Sequence, residues 1–387
     1  MRIVQLGAAF ALLLTGVGAP LAGLAPTYPL GTTAGTWEVD RYPPFAFSNA
    51  ATLFGRSNVL DLGMSSADSL ANRPPAFQST FYNTQGRGIQ VAQPAYSVLY
   101  GSVYLPSAWA TSSDPTTYRR SDMWGVLSPA TGGDTCPASA CNLFPILDFS
   151  NADPGYPGTT GPGAGRYRVF DTNIGFVDLS TPVTYDQWSD LCIAWTGNQI
   201  THYVNGAQVY VQSNLAQGDN SFGPPNKYTR VIIQGYNFGS TYDVNWSGIG
   251  AGTVTSTTVG GGGQTTPPNS PFPQTISAVV LDAGGAPIPC VPVTFTAPAS
   301  GASATLSAST VVTDRTGTAS IGATANSILG AYSVAVQVTG IAAPAEIPLA
   351  NGFAVAPAQI PTLSFAGLFA LGLLVAAMAA VSLARRR

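Results

Sequence analysis

Residues 188–211 read Trp188-Ser189-Asp190-Leu191-Cys192-Ile193-Ala194-Trp195, Thr196-Gly197-Asn198-Gln199, Ile200-Thr201-His202-Tyr203-Val204, Asn205-Gly206 and Ala207-Gln208-Val209-Tyr210-Val211. Apolar and β-branched runs are broken at Gly197-Asn198 and Asn205-Gly206, residue pairs that accept the positive φ a tight hairpin needs. The stretch therefore predicts three consecutive antiparallel strands. Outward from it, similar runs recur at Phe77–Tyr82, Ile89–Val91, Tyr96–Leu105, Met123–Leu127, Phe144–Phe149, Arg166–Phe170, Gly175–Leu179, Val231–Tyr236 and Val244–Ile249. A dozen strands without a convincing helix suit an all-β, two-sheet jelly roll over residues 27–252.

Composition agrees. Only 9% of the 387 residues are charged, against roughly 25% in an average soluble protein. Apolar end segments account for part of that deficit, and a middle rich in Gly, Pro, Ser, Thr and aromatics accounts for the rest. Acidic residues outnumber basic ones, 18 to 15, and the chain has one lysine, Lys227, and one histidine, His202. There is no basic stripe for phosphate recognition, so nucleic acid is excluded as a partner.

The Trp-led strand feeding a strand that ends in Tyr203-Val204-Asn205-Gly206 is similar to the concanavalin A-like superfamily, which includes laminin G-like modules and legume lectins. Glucanases of that fold use a Glu-x-Asp-x-Glu strand, since a retaining mechanism needs two carboxyl groups about 5 Å apart. Here Glu38 and Glu346 are the only glutamates and fall in different domains, which excludes that mechanism. Asp171 with Asp178, and Asp186 with Asp190, sit beside turns, where aspartate caps the backbone. His202 alternates with Ile200 and Val204 on one strand face and reads as a hydrogen-bonded structural histidine. The chain is expected to be non-catalytic, with a hydrolase of unrecognised type as an alternative.

No histidine or cysteine cluster offers a transition-metal site, and no cofactor is expected. Calcium stays open, because Asp171, Asn173, Asp219 and Asn220 supply oxygens. For sugar binding, which uses aromatic faces beside polar side chains, the candidates are Trp109, Trp124, Tyr236 and Trp246. Tyr156 is a further candidate aromatic, and Asn237 and Asp243 lie close in sequence. Four cysteines are too few for a disulfide scaffold. Cys136 and Cys141, five apart in a Gly/Pro/Ser-rich loop, are expected to pair and to staple that loop by roughly 2 kcal/mol. Cys192 reads as a small core residue and Cys290 falls in the other domain, so a bridge between them is not expected.

Residues 253–273, with Gly260–Gly263 and Pro267, Pro268, Pro271 and Pro273, read as a linker. Beyond it, residues 274–353 carry short strands at about ten-residue spacing, the pattern of a small sandwich. Asp282-Ala283-Gly284-Gly285-Ala286-Pro287-Ile288-Pro289, Val291-Pro292-Val293-Thr294-Phe295, Thr313-Asp314 with Gly317, and Gly330-Ala331-Tyr332 resemble the bacterial Ig-like domain of intimins and invasins. The resemblance implies a spacer without chemistry.

Both ends read as targeting segments. Met1-Arg2, the apolar run Ile3–Val17 and the small residues after it predict a secretory signal peptide over 1–25, and hence passage through the secretion machinery. At the other end, Ile360-Pro361-Thr362-Leu363-Ser364 and Gly367 precede an apolar run to Ala384 and then Arg385-Arg386-Arg387. About 22 residues rising 1.5 Å each make roughly 33 Å, the span of a transmembrane helix, with the arginines holding the C-terminus inside. Residues 360–387 resemble the IPTL-type sorting signal of Gram-negative bacteria, although Ala366 stands where that family has Trp. The resemblance implies an exosortase-like membrane enzyme as partner, with cleavage near the motif. Together these readings describe an exported surface protein that binds glycan or adheres, or else a structural matrix component without a specific ligand.

Overall fold

The computed structural model describes residues 37–69, 72–78, 84–129, 143–151, 163–213, 215, 225–237, 239–353 and 365–385. The expected signal peptide, Cys136, Cys141, Tyr156, Asp219, Asn220, Ile360, Pro361, Thr362, Leu363, Ser364, Arg386 and Arg387 lie outside those residues.

Among the described residues the chain is all-β, with a few short 3-10 turns, up to its C-terminal helix. Its first fourteen strands are β1 (Glu38–Arg41), β2 (Ala46–Leu53), β3 (Arg56–Met64), β4 (Thr84–Pro94), β5 (Ser97–Leu105), β6 (Arg120–Pro129), β7 (Ile146–Ser150), β8 (Arg166–Asp171), β9 (Gly175–Asp178), β10 (Gln187–Trp195), β11 (Ile200–Val204), β12 (Ala207–Gln212), β13 (Pro225–Tyr236) and β14 (Tyr242–Thr253). They form two seven-stranded sheets: sheet A in the order β1-β4-β13-β6-β7-β8-β9, and sheet B in the order β12-β11-β10-β5-β14-β3-β2. Alternation along each strand divides its side chains between the two faces. In sheet A, Met123, Leu127, Leu147, Phe149, Tyr167, Val169, Val231 and Ile233 face inward, against Leu99, Val103, Leu191 and Ile193 of sheet B. A bulge between Ser247 and Gly250 resets the alternation of β14, so that Val244 and Trp246 before it and Ile249 and Ala251 after it all enter this core. Gly125 is required in β6, because a Cβ there would stand 2.6 Å from Leu99 Cδ1.

The β10-β11-β12 meander forms as its sequence predicts, with Ile193 opposite His202 and Val204 opposite Ala207. Asn205 at φ 50° and Gly206 at φ 78° make its second turn. The expected strand at 77–82 differs: Pro75–Phe77 is a short 3-10 turn, and residues 79–83 lie outside the described ones. Strands β1 to β3 have no clear signal in the sequence. β2 (AFSNAATL) is a largely exposed edge strand, so no apolar alternation is imposed on it.

The segment read as a linker is instead strand. β15 (Ser256–Gly260) pairs antiparallel with β17 (Ile276–Leu281), and β16 (Gln264–Thr266) runs parallel to β24 (Ala345–Asn351). The glycines that suggested flexibility make the corner between β15 and β16, with Gly261 and Gly263 at positive φ. Only Val254 and Thr255 join the two sandwiches, and both are tied: Val254 N–H donates to the Tyr96 carbonyl and Thr255 N–H to the Leu281 carbonyl. The remaining strands are β18 (Pro292–Thr296), β19 (Ala304–Leu306), β20 (Thr310–Val312), β21 (Thr318–Ile321), β22 (Ala323–Ala325) and β23 (Gly330–Val338). Sheets β15-β17-β21 and β16-β24-β23-β18-β20, with the pair β19-β22, enclose Ile276, Val280, Val293, Phe295, Val334, Val336 and Ile347.

The cysteine pairing also differs from the expected one among the described residues. Cys192 and Cys290 form a disulfide, with Cα atoms 6.3 Å apart. Cys192 points to the outer face of sheet B, not into the core. There Val98, Tyr100, Ala194 and Tyr203 pack in one apolar cluster with Val254, Ile288 and Val291. The two sandwiches thus share an apolar, covalently closed seam.

Helix α1 (Phe365–Ala384) lies where the sequence places one. The expected transmembrane span is not borne out: among the described residues, no helix is long and apolar enough to cross a membrane.

Candidate functional site

The side chains of sheet A that point away from the core form a band of charge rimmed by aromatic rings. Arg120 Nε lies 2.7 Å from both an Asp122 and an Asp148 oxygen. Arg168 clasps Asp148 with two bonds, Nε to Oδ1 at 3.1 Å and Nη2 to Oδ2 at 2.7 Å. Gln234 Nε2 donates to Asp122 Oδ2 at 3.0 Å. These residues come from β6, β7, β8 and β13, neighbours in the sheet, and each sits two positions along from another outward-facing residue. Tyr236 lies under the Arg120 guanidinium at 3.7 Å, and Phe176 lies 4.5 Å from both Arg120 and Arg168. Arg41 covers Trp124 at 4.6 Å and donates to Gln234 Oε1 and Asp40.

The electrostatics are closed on themselves. Arg166 pairs with Asp178 and Arg230 with Glu38, so each of five guanidiniums on this face meets a carboxylate. Arg120, Asp122, Asp148 and Arg168 are all buried. Burial pushes Asp122 up to about 7, against the pull of Arg120. Burial would also raise Asp148, but the Arg168 and Arg120 guanidiniums outweigh it and hold that carboxyl below the usual range. Two neighbouring carboxyls are therefore driven apart, one toward the neutral form and one firmly ionised.

The four aromatic candidates do not share one site. Trp246 and Trp109 belong to the central core and are withdrawn from any ligand role, Trp109 lying edge-on to Tyr242 at 5.4 Å. Trp124 and Tyr236 do share the outer face of sheet A, but both are buried, beneath Arg41 and Arg120. Asn237 is buried and donates to Gln85 Oε1 and to the Ser65 carbonyl, a structural role; Asp243 is exposed. Of the aspartate pairs, Asp171 accepts from Tyr210 Oη–H and Asn173, whereas Asp178 serves Arg166. Asp186 accepts from Ser107 N–H at a turn, and Asp190 lies within β10 rather than beside a turn.

His202 is buried on the inner side of β11, as its alternation with Ile200 and Val204 predicts, but the expected hydrogen bond is absent: neither ring nitrogen has a partner among the described residues. Burial lowers its pKa to about 3, against the Asp171 carboxylate. Among the described residues, no cluster of His, Cys, Asp or Glu is arranged to hold a metal ion.

The charged ladder was the site residue set the sequence reading passed over. Its signal was present: Asp148 stands mid-strand between Leu147 and Phe149, and Asp122 beside Met123, where only an outward position tolerates charge. The partnership among the four strands has no local signature.

At the C-terminus, residues 358–387 match the IPTL-CTERM motif. No curated protein matches the chain in sequence. Among solved structures, the chain is similar to the Bacillus licheniformis beta-glucanase (9% identity, TM-score 0.30, covering 57% of this chain and 92% of that one). It is also similar to the PL7 alginate lyase AlyA1 from Zobellia galactanivorans (8%, TM-score 0.34, 57% and 95%) and to SCLam, a non-specific endo-beta-1,3(4)-glucanase from family GH16 (12%, TM-score 0.33, 56% and 83%).

Proposed function

We propose that the chain is an exported, surface-sorted, non-catalytic binding protein directed at glycan, its lectin-like sandwich carried on an Ig-like spacer. The IPTL-CTERM match supports export and surface sorting, with an exosortase-like enzyme acting on the tail. The observation that carries the non-catalytic reading is the self-neutralised face of sheet A. Hydrolysis needs an acid and a base that reach the substrate, and the carboxyls central to this face are buried and bound to guanidiniums.

The test is a glycan array probed with the labelled full chain, with and without calcium, beside a reducing-sugar release assay on the same glycans. Saturable binding without release supports the proposal, and a calcium requirement would add an ion to it. No binding to any glycan would favour a structural matrix component. A hydrolase remains the second reading because Asp122 and Asp148 are neighbours with opposed proton affinities, the pattern of an acid and base pair. Glycan release that Asp122→Asn abolishes would establish it.

A further inference from the structure

On the outer face of sheet B an exposed ring, Phe54, caps a cluster of half-buried aromatic side chains, beside the seam with the second sandwich. The β2–β3 hairpin tip, Phe54-Gly55, folds across the outer face of that sheet. The Phe54 ring stacks on Tyr104 with centroids 3.7 Å apart and planes within 3°. Trp188, the register partner of Tyr104, stands edge-on to it at 5.5 Å and donates its indole N–H to the Phe54 carbonyl. Phe54 is 47% exposed and has φ 48°, a conformation that bulky residues rarely adopt and that Gly or Asn would take at less cost. A large apolar ring is thus held in water at a position disfavouring it.

Polar groups border the ring cluster. The Arg56 guanidinium lies 4.5 Å over Trp188 and 3.5 Å from Asp190 Oδ1. Arg315, contributed by the second sandwich, reaches Asp190 Oδ2 at 3.4 Å, and Ser102 Oγ–H donates to Asp190 at 2.5 Å. Asp314 adds a second negative charge close by. Two guanidiniums and two carboxylates leave the border near neutrality, with donors and acceptors alternating around an aromatic face.

The geometry points to this shelf as the binding site for a neutral hexopyranose unit of a glycan, composed jointly by the two sandwiches; the assignment rests on the glycan reading above. One face of a hexopyranose presents C–H groups that suit the negative face of an aromatic ring, while its hydroxyls both donate and accept. Phe54 offers the ring, and Arg56, Asp190 and Arg315 offer the fork. An anionic sugar has no unbalanced cation to meet here. The Cys192–Cys290 bridge fixes Arg315 relative to the ring cluster by closing the seam beside it.

The experiment measures binding of the purified full chain to arrayed neutral hexose oligomers and uronic-acid oligomers, with Phe54→Ala, Arg315→Gln and Phe45→Ala variants. Phe45 is 73% exposed and apart from the shelf, so it controls for loss of an exposed ring. Thermal midpoints confirm that each variant folds. The expected result is binding of neutral oligomers, weakened at least tenfold by Phe54→Ala and severalfold by Arg315→Gln, and unchanged by Phe45→Ala. Neutral binding that survives both shelf variants overturns this site and leaves the glycan reading standing. Binding of uronic-acid oligomers alone overturns the neutral-sugar assignment. Binding of none overturns the shelf and the glycan reading together.

Discussion

Asp122 and His202 bend the acid limb of stability in opposite directions. A carboxyl held at about 7 in the fold, against about 3.9 unfolded, binds its proton more tightly when native. Its contribution is full below about pH 4 and is lost as pH rises through 7. A histidine lowered to about 3, against about 6.5 unfolded, contributes stability above 6.5 that is lost as pH falls toward 3. The two slopes oppose each other in the wild-type chain. Asp122→Asn should therefore steepen the loss of stability on acidification between pH 7 and 4, and His202→Leu should flatten or reverse it, as read from urea midpoints at pH 4, 5.5 and 7.5. Arg168 illustrates the cost of breaking such a buried network. Arg168→Ala leaves Asp148 buried without its bidentate partner and should destabilise the chain by about 3–5 kcal/mol in the same assay. Alternation made the outward position of these charged residues legible in the sequence, but the pairing partners were not, since Asp122, Asp148 and Arg168 come from three separate strands.

The β10-β11-β12 meander was the element most legible in the sequence, because its turns carry residues suited to their backbone angles. Gly206 has φ 78° and open space for 4 Å around the position a Cβ would take, so Gly206→Ala isolates the conformational term and should cost about 1 kcal/mol in urea unfolding. Asn205→Ala loses the favourable left-handed residue and the bond from Asp190 N–H to Asn205 Oδ1, and should cost at least as much. Two of the strands that escaped the sequence reading share a physical feature. β2 and β15 are edge strands and much of each is exposed, so neither needs the alternation by which strands are recognised. In β15 and β16 the nearby glycines and prolines suggested a flexible connection, yet the polar strands are held by backbone pairing and by bonds from Thr257, Gln264 and Thr266 side chains to main-chain carbonyls, neither of which requires an apolar pattern.

Across the whole molecule, the decisive feature is the covalent seam. Cys192 and Cys290 are 98 residues apart, and closing a loop of that length removes roughly 4–5 kcal/mol of unfolded-state entropy on the chain-entropy model. The Cys192→Ser, Cys290→Ser double variant should be destabilised by up to that amount and should unfold in two calorimetric steps where the bridged chain unfolds in one. The second sandwich is consequently held fixed against the first, and this is what brings Arg315 to Asp190. By itself, the sequence determined the all-β class, the meander, the absence of a Glu-x-Asp-x-Glu strand and the sorting motif at the C-terminus. Each depends on residues adjacent in the chain: alternation, turn chemistry, composition or a contiguous motif. The tertiary structure alone decided which cysteines meet, which aromatics are core, how the buried charges of sheet A neutralise one another and where two sandwiches form one surface. Those are relations between residues tens to hundreds of positions apart, and they arise only when sheet order and packing bring them together.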